Sequence, residues 1–226
     1  MTSTAKKPHL FSSPLSIRQV LTAPPPALDQ VLPGLLAGTV GICVAPGGMS
    51  KTMLLLQTCF ALATGTRACG GLFETAASSS PTSRDPAKVV MVCAEESREI
   101  LAHRLHAIAS HAVNGSPAGE RESLLKLLDE KLVLFGLSGQ QHLSLLTSDQ
   151  EPTEAFDELL AVCGSARLVV LDPLRQFHHG DENSSLAMNS VVQLLQHLAK
   201  RTGAAVVATH HANRTSNIDG MGHSSD

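Results

Sequence analysis

One short stretch near the start of the chain restricts the fold more than any other part of the sequence. It consists of Ala45, Pro46, Gly47, Gly48, Met49, Ser50, Lys51 and Thr52. An apolar run of strand length (39–44) leads into it, and an apolar run with helical periodicity (53–62) follows it. A strand, a glycine turn, Lys-Thr and a helix in this order are typical of a phosphate-binding P loop.

The order of strand, glycine turn, Lys-Thr and helix has a physical basis, and that basis gives each residue of the turn a role. Backbone N–H groups at a helix N-terminus converge on one point, where the helix dipole already favours an anion. Gly47 and Gly48 would let the backbone wrap the phosphates without a Cβ in the way. Lys51 would neutralise the outer phosphates, and the Thr52 hydroxyl would bind Mg²⁺. The alternative is a plain turn between a strand and a helix. The Lys-Thr pair and the periodicity of the flanking runs argue against it.

Two residues depart from the P-loop pattern G-x-x-x-x-G-K-[ST]. Ala45 stands at the first glycine of the pattern and Ser50 at the second. Ala45 is a mild change if the residue keeps ordinary backbone dihedral angles. Ser50 is the more serious change, because it puts a side chain beside the bound phosphates. We therefore expect nucleotide binding, whereas the pattern leaves efficient hydrolysis open.

The composition is that of a globular chain without a basic surface. With 226 residues, 43% apolar residues and a mean hydropathy of +0.09, the chain can fill the core of one domain. The formal charge of −3 and the absence of Trp and Tyr give no electrostatic or stacking argument for nucleic acid. Five cysteines without C-x-x-C spacing, and no signal or membrane-span pattern, predict a cytoplasmic location without membrane contact.

Strand and helix patterns alternate along most of the chain. Residues 1–14 are predicted to be a disordered leader, and residues 15–226 to form one domain. Apolar runs of strand length at 88–94, 132–135, 167–172 and 204–209 alternate with helical patterns that begin after Ser97 and at 120, 154 and 184. The alternation predicts an α/β fold with a doubly wound, mainly parallel sheet flanked by helices.

Three polar residues follow predicted strands, at the sheet edge where such folds bind ligands. Asp172, after four apolar residues, has the pattern of a Walker B aspartate that holds Mg²⁺ opposite Thr52. Glu95, after the strand expected to lie beside the P-loop strand, could activate a water, with Glu96 as the competing candidate. His210 could hydrogen-bond a γ-phosphate. The alternatives are a turn aspartate, a solvated carboxylate and a strand-end histidine bonded to backbone.

Several stretches together resemble one family. They are 23–26 with 28–29 and 31–33, 37–41, 46–48 with Lys51, 94–95, 103–107, 170–172 with 174–175 and 177–178, 182–183 and 210–212. Their combination of Pro-Pro-Pro, a His-Arg-Leu-His helix and a double histidine is similar to the RepA-type hexameric replicative DNA helicases of broad-host-range plasmids. Those proteins belong to the RecA-like P-loop superfamily of AAA-type ATPases. The resemblance extends from about residue 16 to the end of the chain.

The resemblance implies an ATP- and Mg²⁺-dependent motor that unwinds duplex DNA during plasmid replication. It implies a homo-oligomeric ring, a hexamer in that family, with ATP between subunits and single-stranded DNA as a further partner. Carried onto this sequence, it assigns ATP to residues 45–52 and Mg²⁺ to Thr52 and Asp172. Glu95 then becomes the catalytic base, and His210 senses the γ-phosphate.

The chain departs from this family at Ser50 and at its C-terminus, where we expect the RecA-like domain to be incomplete. RecA-like sheets continue with further strands beyond the position of His210. Without them, one edge of the sheet is predicted to be unpaired and apolar surface to be uncovered. A nucleotide-binding regulatory or degenerate subunit with little hydrolysis is therefore the alternative function. A recombination or clock-type RecA-like ATPase is a third, against which the Pro-Pro-Pro stretch argues.

Overall fold

The structure is a computed structural model that describes residues 13–66, 85–115, 117–141, 143–178 and 185–211. Its strands are β1 (Gln30–Leu32), β2 (Leu35–Leu36), β3 (Val40–Ala45), β4 (Val89–Cys93), β5 (Leu132–Gly136), β6 (Leu168–Asp172) and β7 (Ala205–His211). Its helices are α1 (Ile17–Thr22), α2 (Lys51–Thr64), α3 (Arg98–Gly115), α4 (Ala118–Lys131), α5 (Glu154–Val162) and α6 (Ser185–Thr202), with a 3-10 turn at Leu174–Phe177. No helix in this part of the chain is long and apolar enough to span a membrane. Nearly all of the predicted leader, most of residues 65–86 and the residues after His211 lie outside the described residues.

Five of the strands form one parallel sheet in the order β3-β7-β6-β4-β5. All five residues of β4 and of β6 are buried, as their continuous apolar runs predict. One face of the sheet packs against α2, α3 and α4, through residues such as Leu56 and Leu101. The other face packs against α5 and α6, through Phe156 and Leu195. The predicted doubly wound α/β architecture is therefore confirmed.

The P-loop strand β3 lies at one edge of this sheet and pairs, among the described residues, with β7 alone. On the face that packs against α6, Val40 contacts the core, whereas Ile42 and Val44 are 43% and 57% exposed. On the other face Leu35 of the β1–β2 hairpin covers Gly41, where an added Cβ would lie 3.1 Å from the Leu35 side chain. Whether this edge is unpaired as predicted depends on the residues after His211, which lie outside the described part of the chain.

Three local predictions differ from the structure. The strand before Glu95 is not the neighbour of the P-loop strand, because β7 lies between β3 and β6, and β4 follows β6. The hairpin β1–β2 was not predicted, since strands of three and two residues are too short to show an alternating pattern. Strand β7 also continues through His210 and His211, which were expected to follow it.

The cysteines serve mainly as small core residues, as the sequence predicts. Cys59, Cys93 and Cys163 are buried and unbonded. Burial raises the pKa of the Cys59 and Cys163 thiols to about 12 and raises the pKa of Cys93 as well. These three thiols are therefore neutral near pH 7 and are weak nucleophiles.

Candidate nucleotide-binding site

The glycine turn connects the carboxyl end of β3 to the first residue of α2, Lys51. Gly48 has a φ of +78°, which glycine adopts without strain, and a Cβ added there would meet nothing within 4 Å. Ala45 keeps a negative φ, so the alanine at the first glycine of the pattern is the mild change that was expected. The turn is therefore open on the side where a P loop receives phosphates.

Ser50 is the strained residue of the turn. It caps α2 in the left-handed conformation, with φ +57° and ψ 27°, and its side chain makes no capping hydrogen bond. This conformation costs an L-amino acid roughly 1–2 kcal/mol, a cost that glycine does not carry. The P-loop pattern has glycine at this position, so the backbone supplies a second reason why Ser50 is unfavourable.

The Lys51 side chain lies inside the loop and is only 7% exposed. Its Nζ donates to the carbonyl oxygens of Ala45 at 2.7 Å and Pro46 at 3.0 Å, and lies 3.4 Å from Nδ1 of His211. The ammonium group is thus held at the concave side of the turn by neutral acceptors. A phosphate, which bears full negative charge, makes stronger hydrogen bonds to an ammonium group than carbonyls do.

A buried carboxylate connects α2 with two strands of the sheet. Asp172, at the end of β6, is 6% exposed. Its Oδ2 accepts a hydrogen bond of 2.5 Å from the Thr52 hydroxyl, and its Oδ1 accepts one from the Thr209 hydroxyl on β7. Thr52 and Asp172 therefore meet as predicted. A hydroxyl and a carboxylate are hard oxygen ligands, the set that Mg²⁺ prefers, so these residues fit the ion.

The second histidine of the pair, not the first, lies beside the P loop. In the parallel pairing of β3 with β7, Val44 is opposite His210 and Ala45 is opposite His211. Because side chains alternate along a strand, His211 shares a face with Thr209, while His210 is on the opposite face. His211 also approaches Gly47, where an added Cβ would lie 3.8 Å from its Nδ1. The structure thus favours His211 over the predicted His210 for a role at the phosphates.

Glu95 follows β4 at the same end of the sheet and remains accessible to water. Its side chain is 44% exposed. Its Oε1 accepts a hydrogen bond of 3.2 Å from Nε2 of Gln176 and lies 3.8 Å from Nε of Arg175. Both partners belong to the 3-10 turn that follows Asp172. The carboxylate is therefore held in place and still has room for a water molecule.

Glu96, the competing candidate, has a different environment. Its Oε1 forms an ion pair of 2.6 Å with Arg104 on α3, and its side chain is 14% exposed. Burial raises the pKa of Glu96, the Arg104 guanidinium opposes that rise, and the nearby carboxylates of Asp172 and Glu95 add to it. Its Oε2 has no hydrogen-bond partner among the described residues. Glu96 is therefore engaged in the contact between the sheet edge and α3.

The P loop, the Lys51 and Thr52 side chains and the buried Asp172 lie together at the carboxyl ends of parallel strands, where doubly wound sheets bind their ligands. This combination of fold and site defines the class of RecA-like α/β P-loop ATPases. The chain belongs to the AAA_25 family, described as "AAA domain", whose sequence profile matches residues 5–217. Proteins of this class generally use ATP and Mg²⁺.

Solved structures with a similar chain fold include the crystal structure of the RadB recombinase. The two chains share 20% sequence identity with a TM-score of 0.48, over 83% of this chain and 69% of that chain. A likeness of this extent carries no argument about activity.

Proposed function

We propose that this chain binds ATP with Mg²⁺ at residues 45–52 and hydrolyses it as the ATPase of a RepA-type DNA helicase. The observation that carries the proposal is the pair of hydrogen bonds from Thr52 and Thr209 to the buried Asp172. They connect the P loop with the central strands, in the place where a Walker B aspartate acts. Bound Mg²⁺ would neutralise charge that develops on the β- and γ-phosphates.

The residues of the chain then have distinct roles. Lys51 exchanges its two carbonyl acceptors for phosphate oxygens, and the Thr52 hydroxyl and Asp172 carboxylate hold the ion. Glu95 takes a proton from the attacking water, because its carboxylate is positioned by Gln176 and is open to solvent. His211 replaces the predicted His210 as the donor that detects the γ-phosphate, since it already lies next to Lys51.

The coupling to DNA and the ring assembly rest on the resemblance to the plasmid helicases. Among the described residues β3 pairs with β7 alone, and the apolar Ile42 and Val44 are exposed; both features support association of the chain. We propose a homo-oligomeric ring, a hexamer as in that family, in cytoplasm, with single-stranded DNA as a partner.

The proposal is tested by ATP turnover of the purified chain with and without single-stranded DNA. We expect measurable turnover at neutral pH and an increase when DNA is added. Release of radiolabelled phosphate gives the rate, and strand separation of a forked duplex tests the helicase step. Turnover without any response to DNA would contradict the helicase assignment and leave the ATPase assignment in place.

A second candidate function is a regulatory or degenerate subunit that binds ATP and hydrolyses little of it. The left-handed Ser50 favours this candidate, because the strained residue stands directly before Lys51. Binding of ATP without turnover, in the presence and absence of DNA, would support it against the helicase.

Replacing the strained serine, Ser50→Gly, is expected to raise both stability and turnover. Glycine relieves the left-handed strain but loses chain entropy, so we expect the free energy of unfolding to rise by about 0.5–1 kcal/mol. Gln150→Gly is the matched control, because Gln150 also has a positive φ, +65°, outside the P loop. Denaturant unfolding should show a similar gain for both variants, and turnover should rise for Ser50→Gly alone. Unchanged turnover would mean that Ser50 is not the obstacle.

A further inference from the structure

Gly136, the last residue of β5, has no room for a side chain. A Cβ added to it would lie 2.7 Å from the backbone nitrogen of Arg98 and 2.8 Å from the carbonyl carbon of Ser97. Both are backbone atoms, so no change of rotamer could make space. The φ of Gly136 is not positive, so its backbone conformation does not itself require glycine. The close approach of two backbones therefore explains the glycine.

The backbone that Gly136 touches belongs to residues 94–98, here called the Glu95 segment. In the parallel register Gly136 is opposite Cys93, and Cys93 is opposite Asp172. The segment begins directly after Cys93, the last residue of β4. The contact with Gly136 is therefore made at the edge of the sheet where Asp172 and the proposed base lie.

Two hydrogen bonds hold the Glu95 segment against the end of β5. The Leu137 N–H donates to the Cys93 carbonyl at 2.9 Å, and the Ser138 N–H donates to the Glu96 carbonyl at 3.2 Å. These bonds need the two backbones to lie close together, and the glycine at position 136 allows that distance. The position of the segment is therefore set from the β5 side.

The residues that follow β5 also hold the partner of the Glu95 side chain. Gln176, which donates to Oε1 of Glu95 at 3.2 Å, lies in the 3-10 turn after β6. The next residue of that turn, Phe177, accepts a hydrogen bond of 2.8 Å at its carbonyl from the Leu145 N–H. The side chains of Phe177 and Leu145 are both buried. The Glu95 segment and the partner of Glu95 are thus both held by β5 and the residues after it.

The Glu95 segment is also joined to α3. The Ser97 side chain accepts a hydrogen bond of 3.4 Å from the Ile100 N–H, and the Glu96 carboxylate forms its ion pair with Arg104. A displacement of the segment would therefore carry the first turns of α3 with it.

A side chain at position 136 would cause such a displacement. The nearest backbone atom would have to move from 2.7 Å to the 3.4 Å of an ordinary contact, a shift of about 0.7 Å. Gln176 is held by the residues after β5, so the shift would separate Glu95 from its partner. Misplacing a reacting group by about 1 Å can lower a rate by about 100-fold.

We propose that Gly136 is a positioning residue for Glu95, because its missing side chain lets β5 hold the base in place for proton transfer from water. The inference rests on the proposed role of Glu95 and adds the residue that sets its position. The P loop follows β3, and strands β7, β6 and β4 lie between β3 and β5. Gly136 therefore acts on turnover and not on ATP binding.

The first test compares Gly136→Ala with Gly164→Ala, the matched control. A Cβ added to Gly164 would also meet a backbone atom, the Ala161 carbonyl oxygen, but at an ordinary 3.5 Å, and Gly164 precedes β6 at the other end of the sheet. We expect kcat to fall about 10- to 100-fold in Gly136→Ala and to stay at the wild-type value in the control. The affinity for a fluorescent ATP analogue should be unchanged in both. An unchanged kcat, or an affinity that falls as far as kcat, would overturn the inference.

A double-mutant cycle with Glu95→Gln shows whether Gly136 acts through Glu95. In the Glu95→Gln background we expect Gly136→Ala to cause no further fall in kcat, because the base is already absent. The same fall in both backgrounds would overturn the inference. Wild-type turnover in Glu95→Gln alone would instead contradict the proposed base, so the two failures are distinguishable.

A second variant, Ser138→Pro, tests the same contact at an exposed position. Proline removes the N–H that bonds the Glu96 carbonyl, so we expect the same selective fall in kcat. Hydrogen exchange of the amides of residues 94–98 gives a readout that does not need turnover. The exchange should be faster in Gly136→Ala and Ser138→Pro than in Gly164→Ala. Exchange at the rate of the control in both variants would overturn the inference.

Discussion

Replacing Lys51 with alanine is expected to abolish ATP binding, with an affinity at least about 100-fold below that of wild type. Lys51 is the only charged residue of the turn from 45 to 52, so no neighbouring side chain in the turn can replace its charge. The loss should be seen in a titration with a fluorescent ATP analogue and Mg²⁺. An unchanged affinity would show that the nucleotide binds elsewhere.

A second lysine provides the control for this experiment. Lys88 precedes β4, at the opposite end of the strands, and its Nζ donates to the Val162 carbonyl at 2.7 Å. Lys88→Ala therefore removes the same kind of lysine–carbonyl contact that Lys51→Ala removes. Because Lys88 lies far from the P loop along the strands, we expect this control to bind ATP like wild type. Thermal unfolding of both variants then separates a binding defect from a folding defect.

Replacing Glu95 with glutamine is expected to lower ATP turnover by about 10²–10⁴-fold while ATP binding is retained. Glutamine keeps the size of the side chain and can still contact Gln176, but it cannot accept the proton of the attacking water. The measurement combines steady-state phosphate release with the ATP titration. Wild-type turnover in this variant would exclude Glu95 as the base.

Glu96→Gln is the companion variant, because it neutralises the adjacent carboxylate. Since Glu96 is paired with Arg104 and largely buried, we expect its main effect on the contact between α3 and the sheet edge. Its turnover should therefore fall much less than that of Glu95→Gln. A larger fall in Glu96→Gln would assign the base to Glu96, the competing candidate.

Much of the fold could be predicted because it depends on local patterns. The continuous apolar runs, five residues in β4 and four in β6, are typical of strands buried on both faces, which implies a parallel sheet between helices. The glycine turn with Lys51 and Thr52 depends on adjacent residues, and Asp172 follows its strand directly. Each of these features is formed by residues within a few positions of one another, so each is visible in the sequence.

The order of the strands could not be predicted in the same way. Sequence order placed the strand before Glu95 next to the P-loop strand, but β7 occupies that position. Strand neighbours are chosen by packing between segments that are far apart in the chain, and no local pattern records that choice.

The amino-acid sequence by itself determined the α/β class and the P loop, since local periodicity and residue chemistry are sufficient for them. The contact of Thr52 with Asp172 was predicted from the Walker B pattern and from the rule that parallel strands end at the same edge of a sheet. Only the tertiary structure decided that His211, and not His210, lies beside Lys51. That outcome depends on β7 continuing through His211, because side chains alternate between the two faces along a strand. The left-handed φ of Ser50 is likewise a property of the folded turn, because this turn must connect the end of β3 to the start of α2.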